Sequence, residues 1–338
     1  MPKTGLVISG GGTKGAFAVG ALEYLRKVKG IQFDLVIGTS TGALITPLLV
    51  TDEIDALKQI YCSVDTPTLL TKMDALDAFT KGYLFNSDGL SSIIQNAITP
   101  GRWAAIQASP KQMCVTGVSF QSGNTTYFHT GPSLNVPPGA VAYPITSGKT
   151  LMQAIAASAN EPCFTPSIRI PETGGEQYWD GGVRDYVGIT TALMNGVEEL
   201  YVIILSPEAN PYQDKDFNSL DQVLMRTIAL LSDEVGDSNQ RYARQVGGAV
   251  LYLNSLQQYL GGLPGADKAR IAAAFQSVPD PNQPGASLAN PFSGFNLKRN
   301  PVIIRPDHSL ADNSLEFGKG QMAGMIDIGY AKAQSVVA

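Results

Sequence analysis

The chain has 338 residues, of which 44% are hydrophobic, and it carries a formal net charge of −5. This length and composition allow a large buried core, while the acidic balance provides no basic surface for nucleic acid or for an anionic bilayer. We therefore expect no nucleic-acid partner, and any contact with a lipid surface would have to be apolar or local.

Cysteine usage and the N-terminus bear on the compartment. Cys62, Cys114 and Cys163 are widely spaced and odd in number, which favours buried thiols in a reducing environment. The N-terminus does not read as a signal peptide, and no run of about eighteen apolar residues offers a membrane span. We expect a cytoplasmic protein, with export without a cleaved signal left open, and the sequence leaves the oligomeric state unknown.

The first element is a strand over 5–9 that leads into a glycine-rich loop and then a helix over 15–28. The loop reads Gly10-Gly11-Gly12-Thr13-Lys14-Gly15. A loop of this kind, between a strand and a helix, can aim backbone N–H groups at a negatively charged oxygen. Short strands continue to alternate with helices along the chain, which predicts an α/β layered fold.

A second strand, 33–37, is followed by Gly38-Thr39-Ser40-Thr41-Gly42 and a helix over 42–50. Gly-x-Ser-x-Gly after a strand is the pattern of a nucleophile elbow, where the two glycines relieve crowding in a strained turn. A serine hydroxyl needs a base to take its proton and fixed donors for the carbonyl oxygen that it attacks. Alone, the motif is equally typical of an ordinary turn.

The middle of the chain predicts helical stretches near 53–62, 68–80 and 89–98, then a hairpin with strands 113–120 and 125–129. The next chemically informative segment is Tyr178-Trp179-Asp180-Gly181-Gly182, in which an aspartate follows two aromatic residues suited to a strand. Asp180 could serve as the base for Ser40. Read alone, Asp-Gly-Gly is more typical of a hairpin or loop corner.

The C-terminal part predicts a helix near 188–195, a strand over 201–205 and a long helix from about 218 to 260. Six prolines and five glycines between 261 and 301 then predict a largely irregular segment. It could form a lid, or a surface connection. Because no clear linker precedes about residue 206, we expect one domain over 1–338, with a motif-bearing core at 5–190 and a C-terminal extension at 191–338.

Together and in this order, the glycine loop, the Gly-x-Ser-x-Gly elbow and the Asp-Gly-Gly segment resemble the patatin-like phospholipase family. Members of that family pair such a serine with an Asp-Gly-Gly or Asp-Gly-Ala aspartate and need no histidine. The resemblance includes the small-residue helix end and proline-flanked loop at 156–166, and it is weaker at 302–306 and 328–330. It implies a three-layer α/β/α fold around a central, mostly parallel sheet.

The resemblance also implies site residues and a reaction. Ser40 would be the nucleophile, Asp180 the general base, and the loop from Gly10 to Gly15 the oxyanion hole. The implied reaction is phospholipase A-type hydrolysis of a lipid or another acyl ester through an acyl-enzyme, with no metal and no organic cofactor, and with transient membrane contact as a possibility. Lys14 stands where the family more often has arginine, which puts any bidentate arginine contact there in doubt.

Three other interpretations stay open. Gly10-x-Gly12-x-x-Gly15 fits a dinucleotide-binding fingerprint, with Asp34 19 residues after Gly15, although Asp34 precedes its strand instead of following it. Ser40, Asp180 and His308 occur in the order of the α/β-hydrolase triad, although Ser40 follows only two strands. The third is a binding module on a catalytically dead scaffold. Its intact serine, aspartate and glycines argue against that reading.

Overall fold

The structure is a computed structural model that describes residues 2–208, 212, 214, 216–311 and 318–337. The strands are β1 (Thr4–Ile8), β2 (Leu35–Gly38), β3 (Thr71–Lys72), β4 (Phe85–Asn86), β5 (Gln112–Ser119), β6 (Thr125–His129), β7 (Val141–Pro144), β8 (Ile168–Arg169), β9 (Gln177–Asp180), β10 (Glu199–Ile203), β11 (Ser277–Pro279), β12 (Ser287–Ala289) and β13 (Val302–Ile304). The helices are α1 (Gly15–Glu23), α2 (Thr41–Val50), α3 (Ile54–Ser63), α4 (Thr66–Leu69), α5 (Ala75–Lys81), α6 (Asp88–Ala97), α7 (Pro100–Ala108), α8 (Gly148–Ala159), α9 (Ile189–Met194), α10 (Leu220–Gly261), α11 (Lys268–Ala274) and α12 (Lys319–Val336).

A nine-stranded sheet forms the centre of the part of the chain that the structure describes. Seven strands lie in the order β13-β10-β1-β2-β5-β6-β7, and β9 pairs with both β5 and β8. The four strand pairs from β13 to β5 are parallel, and so is the pair β6–β7. The pairs β5–β6, β5–β9 and β8–β9 are antiparallel. The sheet is therefore mostly parallel, as predicted.

Helices cover both faces of this sheet because successive strand residues point to opposite sides. Leu6 and Ile8 of β1 belong to a core that includes residues of α1, α2, α3, α8 and α12. Val7, between them, belongs to a second core with α9 and α10. The predicted three-layer α/β/α class is confirmed.

Most predicted elements occur within a few residues of their expected positions, but the prediction of a single helical stretch at 68–80 is wrong. That segment forms α4, the short strand β3 and α5. The reason is two separate helix starts, since the carboxylate of Asp65 accepts the N–H of Thr68 and that of Asp74 accepts the N–H of Asp77. Each aspartate caps its own short helix.

The C-terminal part of the chain builds into the same sheet and core. Strand β13 pairs with β10, and α12 packs on α1. The two helices approach so closely that a β-carbon on Gly20 would overlap the carbonyl oxygen of Ile326, and one on Gly329 would overlap that of Phe17. Residues 261–301 contain α11 and the ribbon β11–β12 between loops. None of the described helices has the length and apolar composition needed to cross a membrane.

Candidate active site

Ser40 lies in the tight turn between β2 and α2. Its φ of 57° and ψ of −121° are rare for a residue with a side chain. A β-carbon on Gly38 would overlap the backbone of Gly42, and one on Gly42 would lie 2.5 Å from the carbonyl oxygen of Ile8. The glycines thus permit a strained turn that holds Ser40 at the carboxyl edge of the sheet and at the N-terminal end of α2.

Two hydrogen bonds fix this turn to neighbouring elements. The Ser40 N–H donates to the Ser158 hydroxyl near the end of α8 at 2.9 Å, and the Thr116 hydroxyl of β5 donates to the Thr39 hydroxyl at 2.7 Å. All four residues are buried. Ser158 was not singled out by the sequence analysis, and its signal is a lone serine in an alanine-rich helix end.

The glycine loop lies directly against Ser40. A β-carbon on Gly10 would be 3.2 Å from the Ser40 Cβ. Gly11 and Gly12 have φ of 149° and 57°, a region that favours glycine. Within the described ranges no backbone acceptor takes the N–H of Gly11 or Gly12, so both donors are available to a bound oxygen.

Thr13 and Lys14 continue this loop with polar side chains, of which that of Thr13 is buried and that of Lys14 is half-buried. Thr13 is 7% exposed, and its hydroxyl has no hydrogen-bond partner among the residues that the structure describes. Burial lowers the pKa of Lys14, an effect that the negative charge of Asp233 on α10 opposes. The residue that follows these N–H groups thus carries a hydroxyl with which no described residue pairs.

Asp180 is brought to Ser40 by a shared strand. Gly38, two residues before Ser40, pairs with Val115 of β5, and Asp180 pairs with Gly117 on the same edge of that strand. Two residues along a strand span about 6.7 Å. The antiparallel strand β9 therefore pairs with the same edge of β5 just beyond the end of β2. Its last residue, Asp180, lies beside the elbow.

The carboxylate of Asp180 is 3% exposed and accepts the N–H of Gly182 at 2.7 Å. Burial raises its pKa to about 7, and hydrogen bonds from the Ser40 hydroxyl and the Gly182 N–H partly oppose that rise. The two glycines of Asp-Gly-Gly permit this turn, since a β-carbon on Gly181 would overlap the side chain of Thr116. The site thus contains a base that changes charge near neutral pH.

This burial has a cost in stability that a substitution can reveal. An acid whose pKa rises from 3.8 to about 7 on folding loses stability as the pH rises through that window, by about 4 kcal/mol at most. We expect Asp180→Asn to unfold at higher urea concentration than the wild type at pH about 8, and this gain to vanish as the pH falls toward about 4. Asp216→Asn, at an exposed position, should show no such pH-dependent gain. If Asp180→Asn and the wild type were equally stable at both pH values, the carboxylate of Asp180 would not be a destabilising buried charge.

A cavity of about 130 Å³ opens beside Ser40. Ser40, Gly12 and Thr13 lie in its wall, and the remainder is mainly aliphatic. Its aliphatic side chains include leucines and isoleucines of α2, α3 and α6, namely Leu44, Leu48, Leu57, Ile60, Leu90 and Ile94. The cavity can therefore hold an apolar chain whose polar end reaches Ser40.

One acid in this wall, Glu161, was not assigned by the sequence analysis, although it lies in the segment 156–166. Burial and the nearby charge of Asp180 raise its pKa well above the usual range of glutamate. The sequence signal is a single acidic residue in a run of small and apolar ones. The structure therefore adds a second carboxyl to the neighbourhood of Ser40.

The residues of the other interpretations lie elsewhere. His308 is exposed, His129 is buried in β6, and neither lies in the wall of the cavity beside Ser40. The carboxylate of Asp34 accepts the N–H of Thr4 at 2.7 Å, at the start of β2 and thus at the opposite end from the elbow. These positions give no support to a triad through His308 or to a ribose-binding role for Asp34.

Three comparisons with known proteins bear on this site. Among curated proteins, the uncharacterized protein YjjU of Escherichia coli (strain K12) is 26% identical over 219 residues, which is 65% of this chain and 56% of YjjU. The match thus spans little more than half the length of that relative. Solved structures of VipD from Legionella pneumophila and of the type III effector protein ExoU align with TM-scores of 0.42 and 0.38 at 13% identity. They cover 99% and 100% of this chain, and 66% and 53% of their own.

The third comparison concerns the family. The model of patatin-like phospholipases matches residues 6–193, which is more than half of the chain. The matched range contains the glycine loop, the Ser40 elbow, the buried Asp180 and most of the cavity wall. On that match, the chain belongs to the patatin-like phospholipase family.

Proposed function

We propose that this protein hydrolyses fatty-acyl esters of lipids, as a phospholipase A-type esterase, through an acyl-enzyme on Ser40. Asp180 acts as the general base, and the N–H groups of Gly11 and Gly12 form the oxyanion hole. The observation that carries the proposal is the position of Ser40, which lies at once beside a buried carboxylate, beside available backbone donors and in the wall of an aliphatic cavity.

Acylation begins when the Ser40 oxygen attacks the ester carbonyl carbon and its proton moves to the carboxylate of Asp180. The negative charge that develops on the carbonyl oxygen is stabilised by the loop N–H groups and by the positive N-terminal end of α2. As the C–O bond breaks, the leaving alcohol takes the proton from Asp180. A base with a pKa of about 7 suits both proton transfers near neutral pH.

Deacylation repeats these steps with water. Asp180 accepts a proton from a water molecule while the water oxygen attacks the acyl carbon. The bond between the Ser40 oxygen and the acyl carbon then breaks, and the Ser40 oxygen takes the proton from Asp180. The acyl chain occupies the aliphatic cavity throughout, where each buried methylene contributes about 0.8 kcal/mol. Lipid esters therefore suit this site better than short, polar esters.

The proposal is tested by labelling with two fluorophosphonates that differ only in alkyl length, followed by peptide mass mapping. We expect the label on Ser40, because the reagent needs an activated serine, and faster labelling by the long-chain reagent, because its chain fills the cavity. Ser40→Ala should abolish the label, and Ser287→Ala, at an exposed position on β12, should leave it unchanged.

Two results would refute the proposal. Labelling at a serine other than Ser40 would remove the acyl-enzyme mechanism. Labelling of Ser40 at equal rates by both reagents would keep the nucleophile but remove the aliphatic cavity as the acyl site.

A further inference from the structure

Glu161 is an acidic residue in a cavity whose wall is otherwise mainly aliphatic, and the mechanism above does not use it. Its backbone is tightly held, since the Glu161 carbonyl oxygen accepts the N–H of Phe164 at 3.2 Å and that of Thr165 at 3.0 Å. The residue before it, Asn160, accepts the N–H of Asp180 at 2.9 Å. Glu161 therefore has a fixed place beside the end of β9.

Asp180, which is buried, and Glu161, which is half-buried in the same cavity wall, are two neighbouring carboxyl groups that cannot easily both carry a charge. The charge on Asp180 is favoured by two donors, the Gly182 N–H and the Ser40 hydroxyl. In the described parts of the chain, no donor lies within hydrogen-bond distance of the Glu161 carboxyl. The first proton to leave the pair therefore comes from Asp180, and Glu161 keeps its own.

We propose, resting on the function above, that Glu161 is a positioning residue that must remain neutral for Asp180 and Ser40 to work. Ionised Glu161 would place a second negative charge in the cavity where the carbonyl oxygen of the ester becomes negative. That charge would destabilise the transition state. The enzyme would then lose activity at alkaline pH by ionisation of Glu161.

Other titratable groups near Glu161 could produce an alkaline loss, so the test must separate them. Tyr186 interacts electrostatically with both Asp180 and Glu161, and Asp233 on α10 lies near both Tyr186 and Lys14. Lys14 is the most serious rival, because burial lowers its pKa and it would lose its positive charge as the pH rises. Cys163, two residues after Glu161, is exposed.

The experiment measures the rate constant for fluorophosphonate labelling of Ser40 from about pH 5 to 10. In the wild type we expect a fall of about tenfold per pH unit beyond the ionisation of Glu161. Glu161→Gln and Glu161→Ala should hold their rates to within about twofold from about pH 8 to 10, above the ionisation of Asp180, because neither side chain can ionise. Glu161→Asp keeps an ionisable carboxyl, so its labelling rate constant should again fall at alkaline pH. A merely structural role would lower the rate equally at every pH.

Variants at the rival groups complete the test. Lys14→Arg, Tyr186→Phe and Cys163→Ser should all retain the alkaline fall if Glu161 causes it. An alkaline fall that persists in Glu161→Gln, or that disappears in Lys14→Arg, would overturn the inference.

If Ser40 is not labelled at any pH, the proposed function fails, and the inference is decided by a direct titration. In protein labelled with ¹³C at glutamate carboxyls, the NMR resonance absent from Glu161→Gln belongs to Glu161. Titration above pH about 6 would support a proton held on Glu161. Titration near 4.3, the ordinary value for glutamate, would refute it.

Discussion

Asp180→Asn is expected to lower kcat for ester hydrolysis by about a hundredfold to ten-thousandfold. Asparagine keeps the shape of the side chain and can still accept the N–H of Gly182, but it cannot take a proton from Ser40. The measurement is steady-state hydrolysis of a chromogenic acyl ester. KM should change much less than kcat, because the acyl chain binds in the cavity and does not contact the carboxylate.

The pH profile and the two histidines provide the controls. Because Asp180 is active only when it has lost its proton, kcat/KM in the wild type should rise with pH up to about 7, before the alkaline fall that we assign to Glu161. His308→Ala and His129→Ala should retain most activity. Loss of activity in His308→Ala together with an active Asp180→Asn would assign the base to histidine and refute the dyad.

Gly11→Ala is expected to lower kcat by about a hundredfold or more. The φ of 149° at Gly11 is strained for alanine, and the added β-carbon would lie 2.7 Å from the Cβ of Leu205. The loop must shift to relieve that contact, which moves its N–H donors away from the carbonyl oxygen. The measurement is kcat and KM for the same acyl ester, together with a thermal unfolding curve that establishes that the variant is folded.

A matched control is Gly101→Ala on α7, where an added β-carbon would meet no atom within 4 Å. It should leave kcat unchanged. If Gly11→Ala raised KM and left kcat intact, the loop would bind the substrate without stabilising the transition state. That result would remove the oxyanion role while leaving the nucleophile in place.

Local chemistry explains why much of this fold could be predicted. The strand residues of β1 alternate between two cores, and the apolar runs at 5–9 and 33–37 encode that pattern directly. The elbow also follows from local sterics, since Gly38 and Gly42 are the residues whose β-carbons would overlap backbone. By contrast, the segment at 68–80 divides into two helices because the Asp74 carboxylate caps the N-terminus of a second helix, α5. The helical pattern of the segment does not by itself show where one helix ends and the next begins.

The sequence by itself determined the alternation of strands and helices, the strained serine turn and the glycine loop, because each depends on the backbone freedom and side-chain volume of adjacent residues. Only the tertiary structure decided which groups meet. Strand β5 holds Gly38 and Asp180 on one edge although they are far apart in the chain, and the same packing places Glu161 close to Asp180. Burial and charge proximity depend on the whole fold, so the protonation of the two carboxyls is set by long-range contacts that no local pattern contains.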